Sequence, residues 1–154
     1  MMKILTTAMM TSISEVMETM FYLPVEFVEE PGTLIQSQIL NGKDKLKPNM
    51  ACQLAFTGDF SGSLTLLIPK ELLYEMTESF MGESREDLED AHLTGTLTET
   101  LNMICGNALS RVDSKKPFEL DIPKMIDESS IPKTQMFTIV ETPQSMMAIN
   151  ITID

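Results

Sequence analysis

The feature of the sequence that most constrains its fold is an internal repeat with a spacing of 84 residues. A segment with helical apolar periodicity and two strand-like segments recur in the same order in both halves of the chain. The aligned pairs are 13–20 with 97–104, 50–57 with 134–141, and 61–68 with 145–152. Repeated units of this kind usually form pseudo-symmetric halves with a shared core, because one unit cannot bury its apolar face alone.

The repeat predicts an α+β fold in which two pseudo-symmetric halves, each a helix followed by three strands, share one antiparallel sheet with the helices packed on it. The halves cover about 7–68 and 91–153, and a linking helix covers about 70–82. A chain of 154 residues has the length of one ordinary domain, so we expect residues 1–154 to form a single domain.

Apolar spacing and turn residues predict where the individual elements lie. Helices are expected at 7–22, 70–82 and 97–112, with a short helix from Ser84 that pauses near Gly95. The last predicted strand is apolar enough that we expect it to pair with another sheet edge rather than stay bare. The predicted strands are 34–40, 51–57, 62–68, 118–122, 135–141 and 146–153.

The composition excludes several classes of protein. With a net charge of −12, the chain would be repelled by nucleic-acid phosphates and by anionic membrane surfaces, so we expect neither as a partner. The first residues do not form a signal peptide, and no apolar stretch approaches the roughly 18 residues of a membrane span, so the predicted location is the cytoplasm.

The chain is also poor in the side chains used for zinc binding and nucleophilic catalysis. Its two cysteines, Cys52 and Cys105, are far apart and are expected to be small buried residues in a reducing compartment. The only histidine, His92, is expected to lie exposed at a helix junction rather than to act as a general base. A zinc site of the histidine and cysteine type therefore lacks ligands.

The most informative surface lies on the predicted helix 97–112. At about 100° per residue, Glu99, Asn102 and Gly106 fall together on the side opposite to the apolar stripe. We call these three residues the ridge. Glycine inside a helix costs about 1 kcal/mol relative to alanine, and its missing side chain allows another surface to approach the backbone.

The segment 99–107 resembles the signature Glu-x-x-Asn-Met-x-x-Gly of the CheC/CheX family of chemotaxis phosphatases. A proline follows the asparagine at a similar distance in that family, and here Pro123 lies 21 residues after Asn102. The Gly-Asp-Phe-Ser-Gly-Ser-Leu hairpin at 58–64 is also similar to the family pattern. The resemblance covers about 12–153, and its single intact motif is more like CheX than like the two-site CheC proteins.

The resemblance implies a phosphatase that acts on the aspartyl-phosphate of a CheY-like response regulator in chemotaxis signalling. It implies that Asn102 orients the attacking water and that Glu99 pairs with the phosphate-binding lysine of the regulator. Met103 and Gly106 are the expected partner-binding residues. No cofactor or metal site of the chain's own is expected, since the Mg²⁺ is expected on the phosphorylated regulator, and the family adds a homodimer. The alternative is a non-catalytic protein-interaction module, related to the flagellar switch domains, that uses the same exposed face or a sheet edge to bind a partner.

The residues leave part of this interpretation open. The run Thr96-Leu97-Thr98-Glu99 also fits a capping box if Gly95 breaks the helix, which would give Glu99 a structural role. Gly95 stands where the family often has an acidic residue or serine. We expect the first half to be structural, because a second carboxylate replaces the asparagine there. The corresponding positions in the first helix hold Glu15, Glu18 and Tyr22.

Overall fold

The computed structural model describes residues 1–32 and 49–154, so the predicted strand at 34–40 lies outside the described residues. Among these residues, two single turns of 3₁₀-helix, Arg85–Asp87 and Glu128–Ser130, lie in connecting segments. The α-helices of the described part are α1 (Met2–Phe21), α2 (Lys70–Met81) and α3 (Asp90–Ser110).

The ends of α1 and α2 follow from local sequence. α1 begins earlier than predicted because its apolar stripe extends one turn further, to the buried side chain of Leu5. It ends at Tyr22, which has a left-handed backbone with a φ of 56°, two residues before Pro24. The prediction of α2 is confirmed: the helix follows Pro69 directly and ends at Gly82, with a φ of 67°.

The described strands form one antiparallel sheet in the order β1-β6-β7-β3-β2-β4, with β5 also paired to β2. The strand bounds are β1 Glu26–Phe27, β2 Asn49–Thr57, β3 Gly62–Pro69, β4 Glu119–Leu120, β5 Lys124–Ile126, β6 Thr138–Glu141 and β7 Met146–Ile153.

The centre of the sheet is the pair β3 and β7, one strand from each half of the chain, in a register that runs from Gly62 opposite Ile153 to Leu67 opposite Ala148. Shorter strands from each half pair with the other half. β1 pairs with β6, whereas β4 and β5 pair with β2. The predicted α+β fold, with two halves that share one antiparallel sheet, is thereby confirmed.

Several details of the prediction were wrong. β4 and β6 are shorter than expected, and neither the two-residue strand β1 nor the three-residue strand β5 was predicted. The prediction that the last strand pairs with another edge rather than stays bare is confirmed within this chain, because β7 pairs with β3 on one side and with β6 on the other. Its apolar sequence therefore serves the centre of the sheet and provides no support for pairing with a second copy. The homodimer stays a prediction.

The main core lies between the sheet and the three helices. Inward-facing side chains of the central strands, among them Leu54, Leu66 and Ile149, pack with the buried stripes of the helices. A smaller cluster around Phe137 and Ala148 covers part of the opposite face of the sheet. α3 contacts both α1 and α2, and this packing fixes which side of α3 remains open to solvent.

Candidate functional site

The helix that carries the predicted site is continuous. α3 begins after Glu89 and runs through Gly95 without a break, so the predicted pause there was wrong. His92 Nδ1 accepts a hydrogen bond of 2.9 Å from the backbone N–H of Glu89, which helps to cap the helix start. Thr96 is buried inside α3 instead of capping it. Glu99 therefore belongs to no capping box.

The structure distributes the predicted site residues along the outer side of α3. Leu97, Leu101 and Ile104 are fully buried against the core. Glu99 is exposed, whereas Asn102, Met103 and Gly106 are half-buried. The ridge thus lies on the side of α3 opposite to its apolar stripe. Pro123 is half-buried between β4 and β5.

A groove of about 500 Å³ lies beside the ridge, between α1 and α3. Its walls combine apolar side chains with polar groups that converge from the two helices. They are formed by Glu15, Val16, Thr19, Met20, Asn102, Met103, Gly106 and Asn107. The arrangement places an amide, a thioether and exposed helix backbone together on one open surface. Met20 of α1 was not among the predicted site residues.

The side chains of Glu99 and Asn102 have no hydrogen bond or ion pair with any other residue that the structure describes. The amide of Asn102 therefore has its N–H donors and its carbonyl acceptor available towards the groove. Asn107 provides the contrast on the same helix: its Nδ2 donates to Glu15 at 3.4 Å, and its Oδ1 accepts from Arg111 Nε at 2.9 Å. Only one of these two asparagines is free to bind another molecule through its amide.

An ion pair closes the network around Asn107. Arg111 lies 2.6 Å from Glu15 Oε2, and both side chains are at the surface. The hydrogen bond from Arg111, with a smaller contribution from that of Asn107, lowers the pKa of Glu15 below its usual value. Sequence reasoning missed this network, although the four-residue spacing of Asn107 and Arg111 on one helix was a usable signal. The network links α1 to α3 next to the groove.

Gly106 lies between two depressions of the surface. It lines the groove and also a second cavity of about 310 Å³ between the end of α3 and segment 112–120. A Cβ atom added at this glycine would lie 3.7 Å from Leu120 Cδ1, an ordinary van der Waals distance. The fold of the chain itself therefore does not require a glycine here.

Neither cysteine of the chain is available as a nucleophile. Cys52 and Cys105 are free thiols buried in the core, and burial raises the pKa of Cys52 to about 11 and that of Cys105 to about 12. Both thiols are therefore inert apolar groups of the core. Within residues 1–32 and 49–154, no group of three His, Cys, Asp or Glu side chains could hold a metal ion. No helix in the same residues is long and apolar enough to span a membrane.

The fold is similar to that of several solved structures. A CheC-like superfamily protein from Shewanella sp. PV-4 matches with a TM-score of 0.73 and 18% identity, over 98% of this chain and 97% of that chain. CheX of Borrelia burgdorferi, in a complex described as CheX-CheY-BeF3-Mg²⁺, matches with a TM-score of 0.72 and 18% identity, over 96% of each chain. FliY of Thermotoga maritima matches with a TM-score of 0.56 and 16% identity, over 92% of this chain and 82% of that chain. These matches define the chain as a protein of the CheC-like fold class.

The sequence itself narrows this class to one family. The profile of the family described as chemotaxis phosphatase CheX matches residues 50–144, which is more than half of the chain and includes the ridge. The chain belongs to the CheX family. A comparison with curated protein sequences gave no match.

Proposed function

We propose that this chain removes the phosphoryl group from the aspartyl-phosphate of a CheY-like response regulator in chemotaxis signalling. The observation that carries the proposal is the free amide of Asn102, three residues after the exposed Glu99, at the edge of an open groove. Membership of the CheX family supports phosphatase chemistry. The CheX of Borrelia burgdorferi, to which the chain is similar, is in a complex with CheY, BeF3 and Mg²⁺, and this supports a CheY-like partner.

The chemistry fits the residues that are available. An acyl phosphate is already reactive, so its hydrolysis needs a water molecule held in line with the phosphorus and needs no covalent nucleophile from the phosphatase. The amide of Asn102 can accept a hydrogen bond from that water and can donate another to a phosphoryl oxygen. Because the amide is neutral, it does not repel the phosphoryl oxygens as a carboxylate would.

Glu99 has a separate role in the proposal. Its carboxylate is exposed and unpaired among the described residues, so it can form an ion pair with the phosphate-binding lysine of the regulator without first breaking a contact. That pair would align the ridge with the phosphoryl group. Met103 would contribute a soft apolar contact from the groove wall, and Gly106 would allow the regulator to approach the helix backbone.

Mg²⁺ belongs to the partner in this proposal. The regulator would bind the ion beside its aspartyl-phosphate, and the ion would neutralise the negative phosphoryl oxygens. This chain would orient the attacking water. The chain would work in the cytoplasm, where such regulators act, and as a homodimer.

A non-catalytic interaction module is the second candidate. The fold similarity to FliY of Thermotoga maritima favours it, because the CheC-like fold also occurs outside the proteins described as CheX. Such a module would use the same ridge to bind a partner without chemistry. The two candidates differ in one measurable way: only the first accelerates phosphate loss.

The proposed function is tested by measuring phosphate loss from a panel of purified CheY-like regulators of the same organism, phosphorylated by a small-molecule phosphodonor. We expect the chain to accelerate the loss from at least one regulator in proportion to its concentration. Binding of a regulator stabilised with BeF3 and Mg²⁺, with no acceleration for any member of the panel, would favour the interaction module.

Gly106→Ala separates a partner-facing role of this glycine from a structural one. The added Cβ has an ordinary contact distance to Leu120, and alanine is the better helix former, so we expect the free energy of unfolding to rise by up to about 1 kcal/mol. We expect the affinity for the regulator stabilised with BeF3 and Mg²⁺ to fall, and to fall further in Gly106→Leu, because the larger side chain keeps the regulator away from the helix backbone. Isothermal titration and urea unfolding measure the two quantities. Unchanged affinity in both variants would exclude a close approach at Gly106.

A further inference from the structure

The C-terminal ends of α1 and α2 form an exposed apolar corner. Tyr22 is 81% exposed, Phe80 is 41% exposed and Met81 is 39% exposed. The ring of Phe80 packs against that of Phe21, with 6.1 Å between ring centroids, and Phe21 directly precedes Tyr22. The exposed side chains of the two helices therefore lie at the same corner of the molecule. We call Tyr22, Phe80 and Met81 the aromatic corner.

The backbone conformation of Tyr22 indicates that its exposed ring has a function. α1 and α2 both end with a residue in the left-handed conformation, and α2 uses Gly82 for it, which is the favoured choice. α1 places a tyrosine there, with a φ of 56°, although this conformation is strained for a bulky side chain. The ring gains little from packing in return, since it lies almost entirely in solvent. Strained residues of this kind are concentrated at binding sites.

The electrostatic environment of the corner is negative. Neither α1 nor α2 has a basic residue in its last turn, so the partial negative charge of each helix C-terminus is not offset by its own helix. Glu18 precedes Tyr22 by one turn on the exposed side of α1, and Glu78 and Glu83 flank Phe80 and Met81. A suitable partner for these apolar side chains and their acidic border therefore has both apolar and positively charged residues.

The first cationic side chain after α2 in the sequence, Arg85, already has partners within this chain. Arg85 forms two hydrogen bonds to the carboxylate of Glu71, of 2.6 and 2.7 Å, and lies 4.1 Å from the centroid of the Tyr74 ring. The remaining lysines of the two helices, Lys3 and Lys70, are in the first turns, far from the corner along each helix. Among the residues that the structure describes, the last turns of α1 and α2 and the segment directly after α2 therefore provide no unpaired cation to offset the negative potential of the corner.

We propose that the aromatic corner is a docking surface for a cationic amphipathic segment of another protein, whose apolar residues cover Tyr22, Phe80 and Met81 while its lysines or arginines pair with the acidic border. This partner segment would supply an apolar cover and positive charge, neither of which the described residues provide at the corner. A second copy of this chain is a poorer occupant, because it carries the same net charge of −12. The inference does not depend on phosphatase activity.

The test uses the full chain and a fluorescein-labelled helical peptide of Leu and Lys, about five turns long, with a Leu and Glu peptide of the same pattern as a charge control. Fluorescence anisotropy gives the dissociation constants, and amide chemical shifts in NMR locate the contact. We expect the Lys peptide to shift the resonances of Tyr22 and of Phe80 to Gly82, and the Glu peptide to have no effect. Shifts confined to other parts of the chain would overturn the inference.

Tyr22→Gly is the decisive variant, because the structure predicts opposite effects on stability and on binding. We expect the melting temperature to rise by about 2–4 °C as the backbone strain is removed. We expect the affinity for the Lys peptide to fall about tenfold, and likewise in Phe80→Ser. Ile4→Ser is the matched control, since it removes a 58% exposed apolar side chain from the other end of α1 and should leave the affinity unchanged.

Three results would contradict the proposal. One is an affinity for the Lys peptide that Ile4→Ser lowers as much as Tyr22→Gly does, since this would show attraction by net charge alone. A second is binding of vesicles with anionic lipids that is lost in Tyr22→Gly, which would assign the corner to membranes. The third is concentration-dependent self-association that Tyr22→Gly abolishes, which would assign the corner to a second copy.

Regulator dephosphorylation should be the same in Tyr22→Gly as in the unmodified chain. A failure of the docking proposal is therefore distinct from a failure of the proposed function.

Discussion

Replacement of Asn102 by alanine is expected to reduce the rate of regulator dephosphorylation by about 10²–10³-fold, to the rate at which the regulator loses phosphate alone. This corresponds to about 2.7–4 kcal/mol of transition-state stabilisation contributed by one side chain. The magnitude follows from the proposed role, in which orientation of the attacking water by the amide is the main chemical contribution of the chain.

The same substitution should not weaken the fold. The amide of Asn102 has no partner among the described residues, so its removal leaves no unpaired polar group behind. Alanine is also the better helix former, and we expect the free energy of unfolding to rise by about 0.5 kcal/mol. A kinetic loss together with an unchanged or higher melting temperature would therefore reflect chemistry and not misfolding.

Asn107→Ala is the matched control on the same helix. Its amide is occupied by Glu15 and Arg111, so we expect a modest loss of stability from the broken contacts and a rate within a few-fold of the unmodified chain. Phosphate loss is followed by stopped-flow fluorescence or by release of labelled phosphate. A rate that falls equally in both variants would contradict the assignment of the amide role to Asn102. Unchanged rates with Asn102→Ala would leave the interaction module as the better account.

Replacement of Gly62 by valine should have the largest effect on stability, a loss of about 3 kcal/mol. Gly62 starts β3 opposite Ile153 of the central partner strand β7. A Cβ atom at this position would overlap the carbonyl oxygen of Thr152 and would lie 2.9 Å from Phe56 Cζ. Because backbone cannot move aside as a flexible side chain can, the pairing of the two halves would have to shift. We expect the melting temperature to fall by about 6–12 °C.

Gly95→Ala provides the comparison for this prediction. Nothing lies within 4 Å of a Cβ atom at that position, on the exposed side of α3, so alanine should stabilise the helix by up to about 1 kcal/mol. Urea unfolding followed by circular dichroism gives both values, and an unchanged slope would show that the unfolded state is the same. If Gly62→Val and Gly95→Ala unfold at the same urea concentration, the close approach of β3 to β7 is not as described.

Elements with strong local periodicity were predicted well. The hairpin of β2 and β3 and the helix α2 carry their own signals. Buried and exposed residues alternate in the second half of β2, β3 is an almost continuous apolar run, and α2 has a proline and a glycine at its ends. Short strands were predicted less well. β1 and β4 have two residues each, and their backbone pairs because strands of the other half, β6 and β2, offer an edge to them. No pattern of two residues encodes such pairing.

The interpretation of α3 shows how a local signal can mislead. Gly95 and the run 96–99 resemble a helix start, yet the helix begins at Asp90 because tertiary packing buries Leu93, Thr96 and Leu97 on one continuous face. The cost of a glycine inside the helix is about 1 kcal/mol, which burial of a single leucine exceeds. The correct helix start also removes the capping role from Glu99 and leaves it available to a partner.

The amino-acid sequence by itself determined that two similar halves share one sheet and that Glu99, Asn102 and Gly106 lie on one side of a helix, because these properties depend on repeat spacing and helical period. Only the tertiary structure decided which asparagine is free. Asn102 and Asn107 have the same side chain and lie on the same helix, so the sequence does not distinguish them. In the structure, α1 brings Glu15 within reach of Asn107 and Arg111, while Asn102 lines an open groove. It likewise decided that β7 is central, because strand order depends on contacts between residues far apart in the chain, and these contacts leave no periodic trace in the sequence.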